Sequence, residues 1–313
     1  MRSLTILCLL AFMPLAMCEE KPMKREDQGL YMVVNLEKWT VRYSNDGPNL
    51  DDDTCRTTEL WLRRITPSTF TMGSPSDESG RDTDETQHKV TLTQTYYIGV
   101  FECTQRQWQL VTGGNPSCFK GDTRPVECVS YNMIRGTDSA AGAGWPTYGH
   151  AVDASSFMGI LQKRTGLKFD LPTEAEWEHA CRAGTTTALN SRKNLTDMES
   201  CPNVAEIGRY LYNQTDGKGG YSEHTKVGSY KANNFGLYDM HGNVSEWCLD
   251  WYGEYPADTV KDPKGPVSGI YRVLRGGYWS NDAQYCRAAA RINSNPSFNN
   301  KNYGDGFRVC CHP

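Results

Sequence analysis

The chain has 313 residues, 38% of them hydrophobic and 22% charged, with a formal net charge of −4. That length can bury a substantial core, and a charge this small and negative excludes a nucleic-acid or anionic-membrane surface as partner. Twenty-nine glycines and eight tryptophans, with few long apolar periodic runs, predict a loop-rich fold pinned by aromatic side chains.

Residues 1–18 read as a targeting segment, in which Arg2 supplies the positive charge and Leu4 to Met17 is an apolar run too short to span a bilayer. Leu15-Ala16-Met17-Cys18 is similar to a lipoprotein box, so Cys18 is the expected lipidation site; a plain secretory signal cut near Ala16 or just beyond Cys18 is the alternative. The expected location is therefore the cell envelope or cell surface, with membrane contact through a lipid anchor only. Residues 19–29 are charged and form a flexible tether.

From residue 30 onward β-type and helical signals mix. Leu30 to Val41, Leu60 to Leu62, Thr69 to Gly73, Val90 to Leu92 and Tyr96 to Phe101 have strand composition, and Ser74 to Gln87 reads as a loop. A helix starts at Thr104, which can cap it with Gln107 three residues on, and Gly113-Gly114-Asn115-Pro116 breaks it. Phe157, Ile160 and Leu161 share one helical face that ends at Gly166. A further helix starts at Pro172-Thr173, with Thr173 and Glu176 as the capping pair and Trp177 and Ala180 facing inward. Residues 183–235 are polar and too long for a simple connection. The expectation is one α+β domain over residues 30–313, acting as a monomer.

Without Cys8 and Cys18, ten of the twelve cysteines remain, as buried thiols or a few disulfides. His88, His150, His179, His224, His241 and His312 show no zinc-ligand spacing with them.

The most informative stretch is residues 272–310. Arg275-Gly276-Gly277, Trp279, Cys286, Ala288 to Ala290 and Gly306-Phe307-Arg308-Val309 form a stiff framework. The gaps hold Tyr278, Ser280, Asn281, Asp282, Tyr285, Ile292, Asn293, Ser294, Asn295, Ser297, Phe298, Asn299, Asn300, Asn302, Tyr303 and Asp305. That set has the composition of an antibody paratope, where Tyr gives rigid contact area and Ser and Asn give adaptable hydrogen bonds. It points to a displayed ligand-binding surface whose ligand, a protein or other surface molecule, is unknown.

Seven blocks stand in the order of a known family: Phe70 to Ser74, Tyr97 to Trp108, Arg124 to Glu127, Leu171 to Glu178, Gly236 to Trp247, Arg275 to Gly277 and Gly306 to Arg308. The chain resembles the formylglycine-generating-enzyme (sulfatase-modifying factor) domain over roughly residues 60–311, which implies the C-type-lectin-like fold in its larger, loop-rich form. The enzyme's chemistry needs two cysteines after the Gly-Gly turn to hold copper(I), a soft ion. Counted from Gly276-Gly277, the first of those positions is Asn281, and Cys286 alone cannot make the site. The related ergothioneine-type iron enzymes need a His-rich triad that this chain lacks. An oxidase is therefore the alternative reading and no cofactor is required.

The segment resembles more closely the variable proteins of diversity-generating retroelements, a non-enzymatic branch of the same fold. There, adenine-directed mutagenesis of Asn codons near the end of the gene varies the gaps and spares the framework. The Tyr, Ser, Asp, Ile, Phe and Asn at these gaps are all reachable from an AAC codon by changing adenines, whereas Gln284 and Lys301 are not. Asp239, Gly242, Val244 and Glu246 match a calcium site of some relatives, where carboxylates and backbone carbonyls suit a hard cation; the other reading of Asp239 and Glu246 is a turn cap paired with arginines. Arg287, Arg291 and Arg308 are expected to pair with carboxylates of the framework, leaving no anion site.

Overall fold

The computed structural model describes residues 29–137, 144–213, 223–298 and 303–313. The targeting segment with Cys18, nearly all of the tether, and gap positions Asn299, Asn300 and Asn302 lie outside the described residues. In chain order, strands β1 (Tyr31–Asn35) and β2 (Thr40–Ser44) precede the short helix α1 (Thr54–Thr57). Strands β3 (Glu59–Ile65), β4 (Ser68–Met72), β5 (His88–Leu92) and β6 (Tyr96–Gly99) follow. Next come helices α2 (Gln105–Thr112), α3 (Tyr131–Arg135) and α4 (Phe157–Thr165), strand β7 (Phe169–Asp170), helix α5 (Glu174–Arg182) and the one-turn α6 (Pro202–Ala205). The remainder supplies β8 (Ser245–Trp251), β9 (Val260–Lys261), β10 (Arg272–Arg275), β11 (Arg291–Ser294), β12 (Asp305–Gly306) and β13 (Cys310–Cys311).

The strands form sheets of order β2-β1-β3-β6-β13-β7, β11-β10-β8-β12 and β4-β5-β9. Strand β13 lies between β6 and β7, so the end of the chain is bound into the largest sheet. The four-stranded sheet carries the informative segment. Its central strands are buried on both faces: Trp247, Leu249 and Leu274 enter one apolar cluster, and Cys248 and Val273 enter another. The alternation follows from the two-residue period of a strand, and two-sided burial explains why Ser245–Trp251 is buried almost throughout.

The predicted caps are present. Thr104 Oγ1 accepts from Gln107 N while the Gln107 side chain returns to Thr104 N, and Thr173 and Glu176 repeat the arrangement on α5. Gly113 and Gly166 end α2 and α4 in the left-handed conformation that glycine adopts without a Cβ penalty. The stretch from Leu30 to Val41, read as continuous β structure, is instead a hairpin: Asn35 Oδ1 accepts from Glu37 N and Lys38 N and turns the chain between β1 and β2. Among the described residues no helix is long and apolar enough to cross a membrane.

One buried carboxyl sets a pH dependence. Burial, reinforced by the negative charge of Glu174, raises Asp250 from 3.8 to about 8. The folded state then keeps a proton that the unfolded chain releases, so stability falls as pH rises across that window. Asp250→Asn keeps an acceptor for Glu174 N and should flatten the slope of unfolding free energy against pH, as measured by urea titrations at several pH values.

Candidate functional site

The site begins where β10 ends. Gly276 and Gly277 have φ of 88° and 67°, and a Cβ on Gly277 would lie 2.7 Å from Tyr285 O and 3.0 Å from Cys286 Sγ. Only glycine lets the chain turn this close to the strand's return. Asn281 then locks the next turn, its Oδ1 accepting from Tyr278 N at 3.0 Å and its own N–H donating to Tyr278 O at 2.8 Å. A 3₁₀ turn over Ala283–Cys286 follows.

Cys286 is fully buried. Burial and the nearby Asp282 push its thiol up to about 12, and its Sγ donates to Asp282 O at 3.8 Å. A soft metal ion needs two accessible thiolates, and these two positions offer an amide already used in a turn and a buried neutral thiol. The residues present do not fit the copper site of the enzyme.

Arg287, Arg291 and Arg308 are paired with carboxylates, as expected, and so is Arg275. Arg275 holds Glu174 at 3.0 Å and Glu178 at 2.6 Å, Arg287 holds Glu78 at 2.8 Å and Glu85 at 2.6 Å, and Arg291 holds Glu174 at 2.7 Å. Arg308 binds Glu246 at 2.6 Å. With Ala288, Ala289 and Phe307 at 0% exposure, these pairs make the segment's framework rigid.

The gap residues fall in three places. Tyr278, Trp279 and Tyr303 meet in the first: the Tyr278 and Trp279 rings are edge-on, Trp279 Nε1 donates to Tyr303 O at 2.9 Å, and Gly304 leaves room for the Tyr278 ring. Burial and the charge of Asp305 raise the Tyr278 phenol above its ordinary value. Ser280, Asn281 and Asp282 continue from there, all half-buried. Tyr285, 45% exposed, lies in the second, a cleft shared with Met198 and Gln284. Asn293, Ser294, Asn295, Ser297 and Phe298 form the third, at the edge strand β11 and the turn after it, where Ser297 Oγ and Asn132 Nδ2 are 3.0 Å apart.

Three expectations need correction. Asp305 is buried because it pairs with Ser245 in the parallel β12–β8 ladder, so it is no part of a displayed surface. Ile292 packs against the main core cluster, since its side of β11 faces inward. Trp279, assigned to the buried framework, is half-buried and belongs with the displayed aromatics. The expected calcium set of Asp239, Gly242, Val244 and Glu246 leaves Asp239 Oδ1 buried without a hydrogen-bond partner, an atom a cation could take, while its other carboxylate oxygens have protein partners. Glu246 spends both oxygens on Arg308 and accepts from Trp177 Nε1 at 2.7 Å, Asp239 Oδ2 accepts from Gly228 N, and Val244 N donates to Glu102.

Phe119 is a site residue that the sequence reading missed. Its ring contacts Trp279 at 5.6 Å, Tyr303 at 5.3 Å and the buried His224 at 5.7 Å, all edge-on. The available signal was an aromatic residue in a polar loop just after the Gly113–Pro116 break. Edge-on aromatic pairs each add roughly 0.5–1.5 kcal/mol beyond area burial. Phe119→Ala should lower unfolding free energy by about 1–3 kcal/mol in urea denaturation.

The model of the sulfatase-modifying factor enzyme 1-like domain matches residues 54–312. The formylglycine-generating enzyme of Bos taurus is 35% identical over 271 residues, covering 77% of this chain and 72% of that one. The serine/threonine-protein kinase pkn1 of Chlamydia caviae is 43% identical over 155 residues, 48% of this chain, but the chain spans only 22% of that protein's length. Among solved structures, variable protein 1 of Treponema denticola superposes with a TM-score of 0.64 at 28% identity, covering 82% of this chain and 96% of that one. The chain thus belongs to the sulfatase-modifying-factor family and has that family's C-type-lectin-like α+β fold.

Proposed function

We propose that the protein is a non-catalytic, surface-displayed ligand-binding protein whose C-terminal segment is diversified by a retroelement. The observation that carries this reading is the division of the segment by burial. Cys286, Ala288, Ala289, Phe307 and Arg308 are sealed, while Tyr285, Phe298 and Tyr303 are at least 38% exposed. Exposed side chains can change with little effect on the fold, usually less than about 0.5 kcal/mol. The likeness to variable protein 1 of Treponema denticola supports the same reading. The ligand would meet Tyr278, Ser280, Trp279 and Tyr303 first, with Asn299, Asn300 and Asn302 as further variable positions. Export and a lipid anchor at Cys18 complete the proposal: incorporation of labelled palmitate that disappears in Cys18→Ala supports the anchor, and incorporation that survives the change removes it.

The second reading, an oxidase of the formylglycine-generating type, is favoured by the relatives' names. Incubation with copper(I) and a Cys-x-Pro-x-Arg peptide distinguishes the two: this proposal expects no aldehyde, and aldehyde formation overturns it. The surface requires no cofactor in the present reading. Chelation tests calcium at Asp239 and Glu246: a lower Tm supports it, and an unchanged Tm leaves Glu246 as the partner of Arg308 alone.

A further inference from the structure

Cys118 and Cys128 bracket the loop that carries Phe119. Their Sγ atoms are 3.5 Å apart. Cys118 is exposed and Cys128 half-buried, whereas the other cysteines among the described residues are buried. The two sides of the loop are held in line by its own hydrogen bonds. Glu127 N donates to Ser117 Oγ at 3.1 Å, and Glu127 Oε1 accepts from Cys118 N at 2.6 Å and Phe119 N at 2.9 Å. Cys128 takes a left-handed backbone, φ 59°, which side chains other than glycine rarely adopt. That conformation brings its sulfur against that of Cys118.

We propose that Cys118 and Cys128 form an oxidation site that closes as an intramolecular disulfide. The sulfurs need to approach to about 2.0 Å, a shift within reach of side-chain rotation at the exposed Cys118. The co-reactant is an external disulfide such as oxidised glutathione. The Cys118 thiolate attacks it, forming a mixed disulfide and releasing one thiol. Cys128 Sγ then attacks Cys118 Sγ, loses its proton, and expels the second thiol. Two protein thiols are oxidised and one external disulfide is reduced to two thiols, so atoms and electrons balance. Burial, and after it the adjacent Glu127 carboxylate, hold Cys128 protonated, which makes Cys118 the first to react and Cys128 the resolving thiol.

A bound metal is the competing use of this cluster, because Cys118, Glu127 and Cys128 place ligand atoms within 4.8 Å of one another. Two features favour the disulfide. Glu127 Oε1 already accepts two backbone N–H groups, which leaves only its buried, unpartnered Oε2 for an ion, and the exposed Cys118 is open to an oxidant. The cross-link would close residues 118–128 and fix Phe119 beneath Trp279 and Tyr303. Its meaning for recognition rests on the proposed ligand-binding surface; its chemistry does not.

The test uses the full chain, purified reduced and then equilibrated with oxidised and reduced glutathione. Alkylation of the folded protein, proteolysis and mass spectrometry should give a Cys118–Cys128 cross-linked peptide pair, unalkylated and two hydrogens lighter. Amide exchange in residues 118–128 should slow by about tenfold or more on oxidation, and not in a Cys118→Ser, Cys128→Ser double variant. Free alkylation of both thiols after oxidation, glutathione retained on Cys118, or a stoichiometric zinc ion that blocks alkylation would each overturn the proposal. Failure of the ligand-binding reading would appear elsewhere, in the sequences of sister isolates, and would leave this result untouched.

Discussion

Replacing Arg308 by Met should cost about 3–5 kcal/mol of unfolding free energy, because it strands a buried carboxylate. Arg308 is fully buried and binds Glu246 at 2.6 Å, Gly99 O at 2.8 Å and Tyr238 O at 2.9 Å. Without it, Glu246 keeps Trp177 Nε1 as a partner but loses its charge partner, beside two further buried carboxyls. Burial already raises Asp239 to about 6 and Glu102 well above its ordinary value. A carboxyl with a raised folded pKa loses stability as pH rises, so the deficit should deepen from acidic to alkaline pH. Urea denaturation at several pH values measures both effects. Adding Glu246→Gln should recover part of the loss, since a neutral amide no longer needs the guanidinium.

The second large effect separates framework from displayed surface. Phe307 packs edge-on against Phe157 at 5.1 Å and Trp108 at 5.9 Å, at 0% exposure. Phe307→Ala should therefore cost about 3–5 kcal/mol through the cavity it leaves. Tyr285→Ser and Phe298→Ser, at 45% and 43% exposure, should each stay within about 0.5 kcal/mol of the parent. Thermal unfolding of the three variants, side by side, gives the comparison. A loss at Tyr285 or Phe298 as large as that at Phe307 would contradict the division by position.

What was legible in the sequence was mostly local. The capping pairs Thr104–Gln107 and Thr173–Glu176 need only four consecutive residues, so their pattern is readable without a fold. Arg287, Arg291 and Arg308 were readable as paired because a guanidinium held in a framework needs a compensating partner; the sequence could not say which carboxylate. The misses are non-local. Asp305 is buried by a two-residue parallel pairing with Ser245, sixty positions away, and nothing in its own neighbours marks it as a strand. Phe119 reaches Trp279 across 160 positions, through topology alone. Asn281 looked like a contact residue, yet its amide closes a turn. Short polar side chains serve turns and ligands equally well, so composition cannot separate the two uses.

The central claim is that the exposed positions between Tyr278 and Tyr303 vary while the buried framework does not. Sequencing this locus in sister isolates tests it most directly. The account predicts substitutions concentrated at the first two bases, the adenines of an AAC template, in the codons for Tyr278, Ser280, Tyr285, Asn293, Phe298 and Tyr303, with Cys286, Ala288, Phe307 and Arg308 unchanged. Substitutions spread evenly along the segment, framework included, would contradict it.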